Sequence, residues 1–259
     1  MTSQFSPDSG AAFDDADVAR CYAYRAPYAP AAIDALVALA PGRQRALDLG
    51  CGPGKLAAAL APHFDEVVAL DPSAPMLAEG RARCDAPNIQ WLQASDRAAP
   101  LDQPYDLVVS GTAIHFMDHA SLFPRLAACT ALFATVGGDH PPCPPWAAAW
   151  DDAMQTWLRR VGRTPDPAGF IEFGHRYEAW IDIVGRRSFA FAWAQPLSEF
   201  IAGQHSRATW ARAAMGADLA AEFDRDLERR LSPWAEDGIL RFDLQTDVVW
   251  GRPRTSMRR

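Results

Sequence analysis

Residues 46–54 read ALDLGCGPG, and seventeen residues after Gly54 the run VVALD closes on an acid, Asp71. Ala46, Leu47 and Leu49 lead straight into Gly50, Gly52 and Gly54. A short apolar run entering a glycine-rich turn reads as a buried parallel strand that stops at a ligand. Glycine accepts positive φ and lacks the Cβ that would hold a ligand away. In KLAAALAPHF, residues 55–64, Leu56, Leu60 and Phe64 are spaced for one helical face. Strand, glycine turn, helix, second strand and terminal acid make a nucleotide-binding βαβ unit. Asp71 then stands where it can accept hydrogen bonds from ribose hydroxyls. The spacing G-x-G-x-G departs from the dinucleotide pattern G-x-G-x-x-G. Lys55 lacks a following Ser or Thr, and G-x-x-x-x-G-K does not occur, which excludes a P-loop. Asp48 puts a carboxylate beside the turn, suited to a ligand with an ammonium group; a strand-end or helix-capping carboxylate is the alternative.

The stretch DLGCGPG, residues 48–54, with the downstream acid resembles motif I of the class I S-adenosylmethionine-dependent methyltransferases. The resemblance implies a Rossmann-like three-layer α/β/α fold with a seven-stranded, mostly parallel sheet whose last strand is antiparallel. It implies S-adenosyl-L-methionine as cofactor and S-adenosyl-L-homocysteine as product. Gly50, Gly52 and Gly54 would wrap the methionine part, Asp48 would reach the amino group directly or through water, and Asp71 would hold the ribose. Ser73 and Met76, in DPSAPML, would lie on the adenine side, Met76 either as a lid or as core packing. After the third strand, in QASD (93–96), Ala94 stands where the resemblance leads one to expect an acid near the adenine amine. Ser95, through its backbone, and Asp96, through its side chain, take that place.

Two further segments carry the resemblance. SGTAIHFMD, 110–118, is similar to the A-x-H-[WF] segment of small-molecule methyltransferases. Ser110 and Gly111 would lie beside the transferable methyl, with His115 and Phe116 facing the reaction cavity. His115 either takes a proton from a substrate hydroxyl or amine or packs against the cofactor. RCYAYRAPY, 20–28, resembles the Y-x-x-x-R-P-x-Y lead-in of one branch, slightly displaced by Ala26. Tyr24, Arg25 and Tyr28 would close over the cofactor carboxylate, a pairing chemically suited to arginine.

The 259 residues suffice for one domain with an elaboration. A net charge of −7 argues against an electrostatic grip on nucleic acid. No apolar run approaches the length of a membrane span, and the polar, acidic start lacks the features of a signal peptide. The five widely spaced cysteines without C-x-x-C fit reduced thiols in a cytoplasm and no metal framework. The Ala- and Arg-rich composition fits a bacterial source. A monomer or homodimer acting on a small molecule is expected.

Strands are expected at about 45–49, 66–70, 88–94, 104–110 and 131–136, alternating with helices, which means a parallel sheet covered on both faces. The cofactor core thus spans 18–138, and residues 1–17 read as mobile. GGDHPPCPPW, 137–146, breaks the rhythm, and 139–185 reads as a helical, Trp-rich cap over the carboxyl ends of the strands. Residues 186–250 would complete the sheet with strands at 186–193 and 239–250. The substrate side must come from 139–210, where Asp139, His140, Trp146, His175, Tyr177 and His205 are candidates alongside Arg207. The tryptophans suggest a flat aromatic or cationic ligand, or simply core packing. Phenols, heteroaromatic nitrogens, as in secondary metabolism, quinone precursors and small carboxylic acids all suit such a scaffold. A nicotinamide-dependent oxidoreductase or a non-catalytic cofactor-binding protein on the same fold are the other classes considered.

Overall fold

The computed structural model describes residues 7–138, 141, 143–163 and 175–258. β1 (Arg45–Leu49), β2 (Glu66–Asp71), β3 (Ile89–Gln93), β4 (Leu107–Gly111) and β5 (Phe133–Gly137) pair in parallel in the order β3-β2-β1-β4-β5. β1, β2 and β4 are apolar and buried on both faces, as a central parallel sheet requires. α2 (Pro30–Leu39) and α3 (Lys55–Leu60) press Leu36, Leu56 and Leu60 into one face. On the other face, α5 (His119–Cys129) contributes Leu122, Phe123 and Leu126. α1 (Ala16–Tyr22) and α4 (Ala74–Arg83) share a small cluster formed by Val18, Ala19 and Met76.

Beyond β5 the sheet turns antiparallel. β8 (Ile239–Pro253) pairs with β5 from Gly251 to Asp247, and β6 (Ile181–Pro196) pairs along the whole of β8. Residues 239–246 therefore run with 189–196 past the carboxyl end of β5 as a two-stranded antiparallel ribbon. Its apolar residues Leu240, Phe242 and Leu244 need a cover. α6 (Ala147–Arg160), α7 (Leu197–Gln204), α8 (Arg212–Met215) and α9 (Ala217–Leu231) supply it, centred on Trp146, Trp157 and Phe223. The cap thus stands at the carboxyl ends of the strands.

Three expectations change. Among the described residues the sheet has eight strands, not seven, because β7 (Ala235–Glu236) forms a tight hairpin with β8 across Asp237 and Gly238, both with positive φ. β6 begins at Ile181, ahead of the expected strand, since a register shift between Ile183 and Gly185 interrupts its alternation. Within the N-terminal stretch read as mobile, Pro7–Asp14 is a 3-10 helix that packs on α4 and on the loop after β4. Among the described residues no helix is long and apolar enough to cross a membrane.

Candidate active site

β1 ends at Leu49 and the chain turns through Gly50, Gly52 and Gly54, whose φ angles are 69°, 53° and 74°. The Gly50 and Cys51 amides are held by the Leu70 carbonyl at 2.8 and 2.9 Å, so the turn is fastened to β2. The three glycines serve different ends. A Cβ on Gly54 would overlap the ring of Trp91, and one on Gly50 would lie 2.5 Å from the Ala113 Cβ. A Cβ on Gly52 would meet only the Met76 sulfur at 4.0 Å. Gly52 therefore borders open space, as close approach of a ligand to backbone requires.

Asp71 ends β2 and is 8% exposed. Its Oδ2 accepts the Gly52 amide at 2.8 Å and its Oδ1 accepts the Ser73 amide at 2.9 Å. Both oxygens keep lone pairs for further donors. Burial raises its pKa, opposed by those two amides. Asp48 is 1% exposed; its Oδ2 accepts the Ala57 amide at 3.0 Å at the start of α3, while Oδ1 has no partner among the described residues. Burial, reinforced by Asp71, pushes the Asp48 carboxyl up to about 7 against the pull of the Ala57 amide. A buried carboxylate oxygen without a donor is costly, and a ligand ammonium would satisfy it. Of the two roles the sequence suggested for Asp48, the cap-like one is taken by Oδ2.

Ser73 caps α4 by accepting the Met76 amide at 3.2 Å, and its hydroxyl donates to the Phe13 carbonyl at 2.7 Å. Met76 is buried against Val18 and Ala19. Phe13, which nothing in the sequence pattern singled out, makes edge contacts with Phe116 at 5.9 Å and Tyr22 at 6.4 Å. The N-terminal segment thus covers the turn on the side of Ser73 and Phe116.

Ser95 precedes a 3-10 turn over Asp96–Ala98, and the Asp96 carboxylate accepts the Asp118 amide at 3.0 Å, pinning the entry to α5. Ser110 is fully buried and donates to the Leu49 carbonyl at 2.9 Å, bracing β4 to β1 instead of presenting its hydroxyl to a ligand. Thr112 follows with φ 50°, a strained value for a branched residue. His115 lies in that turn, its ring 4.2 Å from Phe116. Burial, with a lesser contribution from His119, lowers its pKa to about 4. It is neutral near pH 7 and a weak proton acceptor.

Tyr24 and Arg25 are held between the turn and the cap. The ammonium of Lys55, the sole lysine of the chain and the residue after Gly54, donates to the Arg25 carbonyl and, at 3.2 Å, to that of Ala26. The Arg25 guanidinium lies 4.1 Å from the Tyr22 ring centre and donates to the Ser206 hydroxyl at 2.7 Å and carbonyl at 3.0 Å. Gln195 donates to the Tyr24 carbonyl at 2.6 Å. Tyr28 reaches the end of β4, its hydroxyl 2.5 Å from where a Gly111 Cβ would stand. Tyr24, Arg25 and Ala26 also form one wall of a cavity of about 320 Å³ under the cap, bounded by Trp146, Gln204 and Arg207 among others. Arg25–Ala26 is therefore a partition between glycine turn and cavity.

Of the expected substrate residues, Trp146 borders this cavity but is 1% exposed and packs edge-on against Phe242 at 5.1 Å. His205 does not reach it. It is fully buried, with Nδ1 2.6 Å from the Trp210 carbonyl and Nε2 2.6 Å from Asp224, a bracket between α7 and α9. His175 is on the surface, 2.6 Å from Glu178, and Tyr177 is buried with its hydroxyl on Thr135 at 2.8 Å. Asp139 and His140 lie outside the described residues.

A parallel sheet whose second strand ends in an acid beside a glycine turn is a Rossmann-like arrangement. Residues 46–136 match the family model described as "Methyltransferase domain". An uncharacterized methyltransferase from Mycobacterium bovis is 42% identical over 89 residues, 34% of this chain and 44% of that protein. The chain thus spans less than half the length of that relative. A trans-aconitate 2-methyltransferase from Methylobacterium nodulans is 27% identical over 221 residues, covering 76% of this chain and 82% of that one. A solved structure, assigned as a type II methyltransferase from Anaeromyxobacter dehalogenans, shares the fold with a TM-score of 0.69 at 23% identity, over 90% of this chain and 99% of that one. Residues 46–136 thus match a methyltransferase domain, and the chain shares the fold of that solved structure.

Proposed function

We propose that this protein transfers a methyl group from S-adenosylmethionine to a carboxylate oxygen of a small molecule. The observation that carries the cofactor side is the buried Asp71 clamped on Gly52 and Ser73, next to an Asp48 oxygen without a donor. Asp71 holds the ribose hydroxyls, the open side of Gly52 admits the methionine chain, and Asp48 takes the ammonium group directly or through water. When bound, the cofactor supplies a sulfonium methyl: an acceptor lone pair forms the O–CH3 bond as the S–CH3 bond breaks and its pair stays on sulfur. The chain's own work is alignment and exclusion of water, which can supply roughly 7–11 kcal/mol of the barrier. That exceeds the ~3–5 kcal/mol of a typical general base.

His115 supports the choice of nucleophile. A neutral imidazole whose conjugate acid has a pKa of about 4 is poorly suited to removing a proton from a phenol or an ammonium. A carboxylate needs no proton removed. The relative from Methylobacterium nodulans bears the name of an enzyme acting on an acid, trans-aconitate, in the same sense. The cavity behind Arg25–Ala26 receives the acceptor. The test is transfer of labelled methyl from S-adenosylmethionine to a panel of acids, phenols and amines. Base-labile label on acids is the expected product; label found only on phenol, nitrogen or carbon would overturn the carboxylate assignment.

A further inference from the structure

We propose that the acceptor is a hydroxylated carboxylic acid and that the amide oxygen of Gln204 receives its hydroxyl. This rests on the carboxylate reading above and narrows it. Gln204, at the end of α7, is 5% exposed and borders the cavity. Its Nε2 donates to the Phe200 carbonyl at 2.9 Å, which fixes the amide, because only the NH2 group can donate. Oε1 is thereby turned away from that carbonyl, and it accepts no hydrogen bond among the described residues. A buried acceptor without a donor is costly, and a donor brought by the bound molecule satisfies it.

Gln195 repeats the arrangement. It is 5% exposed, borders the same cavity, and commits its Nε2 to the Tyr24 carbonyl at 2.6 Å. Two amides at one cavity are thus anchored by their NH2 groups to backbone carbonyls. A neutral hydroxyl suits the Gln204 oxygen better than an ammonium group. A buried cation needs a countercharge, and Asp151, the sole carboxylate bordering the cavity among the described residues, is exposed.

The other walls are aromatic. Trp146, Trp150, Phe200 and Phe242 border the cavity and brace one another edge-on, with Trp150–Phe200 centroids 5.6 Å apart and Trp146–Phe200 6.0 Å. Fixed rings accept a planar body at little entropic cost. The volume of about 320 Å³ lies at the small end of ligand sites and suits a body of one or two rings. A ring held on these faces keeps its substituents in place, so one position of a hydroxyl meets the Gln204 oxygen. In the step, a carboxylate lone pair forms the ester O–CH3 bond and the S–CH3 bond breaks toward sulfur. The hydroxyl keeps its proton, directed at Gln204, and is not methylated.

The test compares trans-cinnamate with its meta- and para-hydroxy derivatives as methyl acceptors for the wild type and Gln204→Met, which keeps the shape of the side chain and removes its acceptor. S-adenosylhomocysteine affinity serves as the control for folding. For the wild type, kcat/KM is expected to favour at least one hydroxycinnamate over cinnamate about tenfold or more, with the label in base-labile ester. Gln204→Met should lower kcat/KM for that hydroxycinnamate about tenfold or more, mostly through KM, and for cinnamate much less, so that the preference disappears. Cinnamate used as well as both derivatives, a preference that survives Gln204→Met, or equal losses for both kinds of acid would overturn this inference and leave the carboxylate reading standing. Base-stable methyl ether on the phenol oxygen with no ester would overturn both.

Discussion

Asp48→Asn separates a buried charge from its neutral isostere. In the unfolded chain the carboxyl titrates near 3.8; in the fold it is held up to about 7. The folded state therefore keeps the proton longer, and ionisation of Asp48 destabilises the ligand-free protein progressively as pH rises from about 4 to about 7. At about 1.4 kcal/mol per unit, the full penalty above pH 7 is roughly 4 kcal/mol. Asparagine removes it. Its amide oxygen can keep the Ala57 amide bond, while its NH2 group sits where Oδ1 lacks a partner, costing about 1–3 kcal/mol. The variant should thus be more stable than wild type by about 1–3 kcal/mol at pH 8, and the difference should shift by about 3 kcal/mol toward wild type by pH 5, leaving the variant no more stable than wild type there. Urea unfolding of the ligand-free proteins at both pH values measures this. A stability difference that is the same at both would refute the buried-carboxylate reasoning. Binding gives the converse. Wild-type affinity for S-adenosylhomocysteine should fall about tenfold per unit below pH 7, because the ammonium requires the ionised carboxylate, and the asparagine variant should bind weakly without that slope.

Three more outcomes follow from the geometry. Gly54→Ala should destabilise the fold by about 2–4 kcal/mol, through positive φ and overlap with Trp91, whereas Gly52→Ala should cost about 1 kcal/mol and weaken cofactor binding more than tenfold; thermal unfolding and calorimetry separate the two. His115→Asn should keep turnover within about tenfold of wild type and leave the pH–rate profile unchanged, since proton transfer by a general base would contribute 10²–10⁴; loss of a basic limb from that profile would restore the base assignment. Lys55→Met should raise KM for the acceptor more than it lowers kcat, and Lys55→Arg should restore part of the loss; equal losses in both variants would leave Lys55 a purely structural residue.

The glycine turn and its acid were legible because their arrangement is local. Gly50, Gly52, Gly54 and Asp71 lie within one βαβ unit, where spacing along the chain fixes spacing in space. The alternation of strands was readable for the same reason. What escaped depends on long-range partners. Ser110 looks ligand-facing by position, yet its hydroxyl is taken by the Leu49 carbonyl. Asp96 is in the expected loop, but its carboxylate serves the Asp118 amide. His205 reads as a polar group in the cap and is a bracket to Asp224, a residue nineteen positions away. Phe13 sits in a polar, acidic stretch whose composition suggested mobility, and its role comes from Ser73 and Phe116. Lys55 was noticed only for the motif it fails to complete. Its being the sole lysine, directly after the glycine turn, was the available signal. β7 was too short to read, and Gly185 obscured the start of β6.

The central claim is that Asp71 and the glycine turn hold S-adenosylmethionine. Isothermal titration of S-adenosylhomocysteine into the wild type and Asp71→Ala tests it most directly. One site per chain is expected, with affinity at least tenfold weaker in the variant, since two ribose hydroxyls lose a charged acceptor. Absence of binding to the wild type, or equal affinity in both proteins, would contradict it.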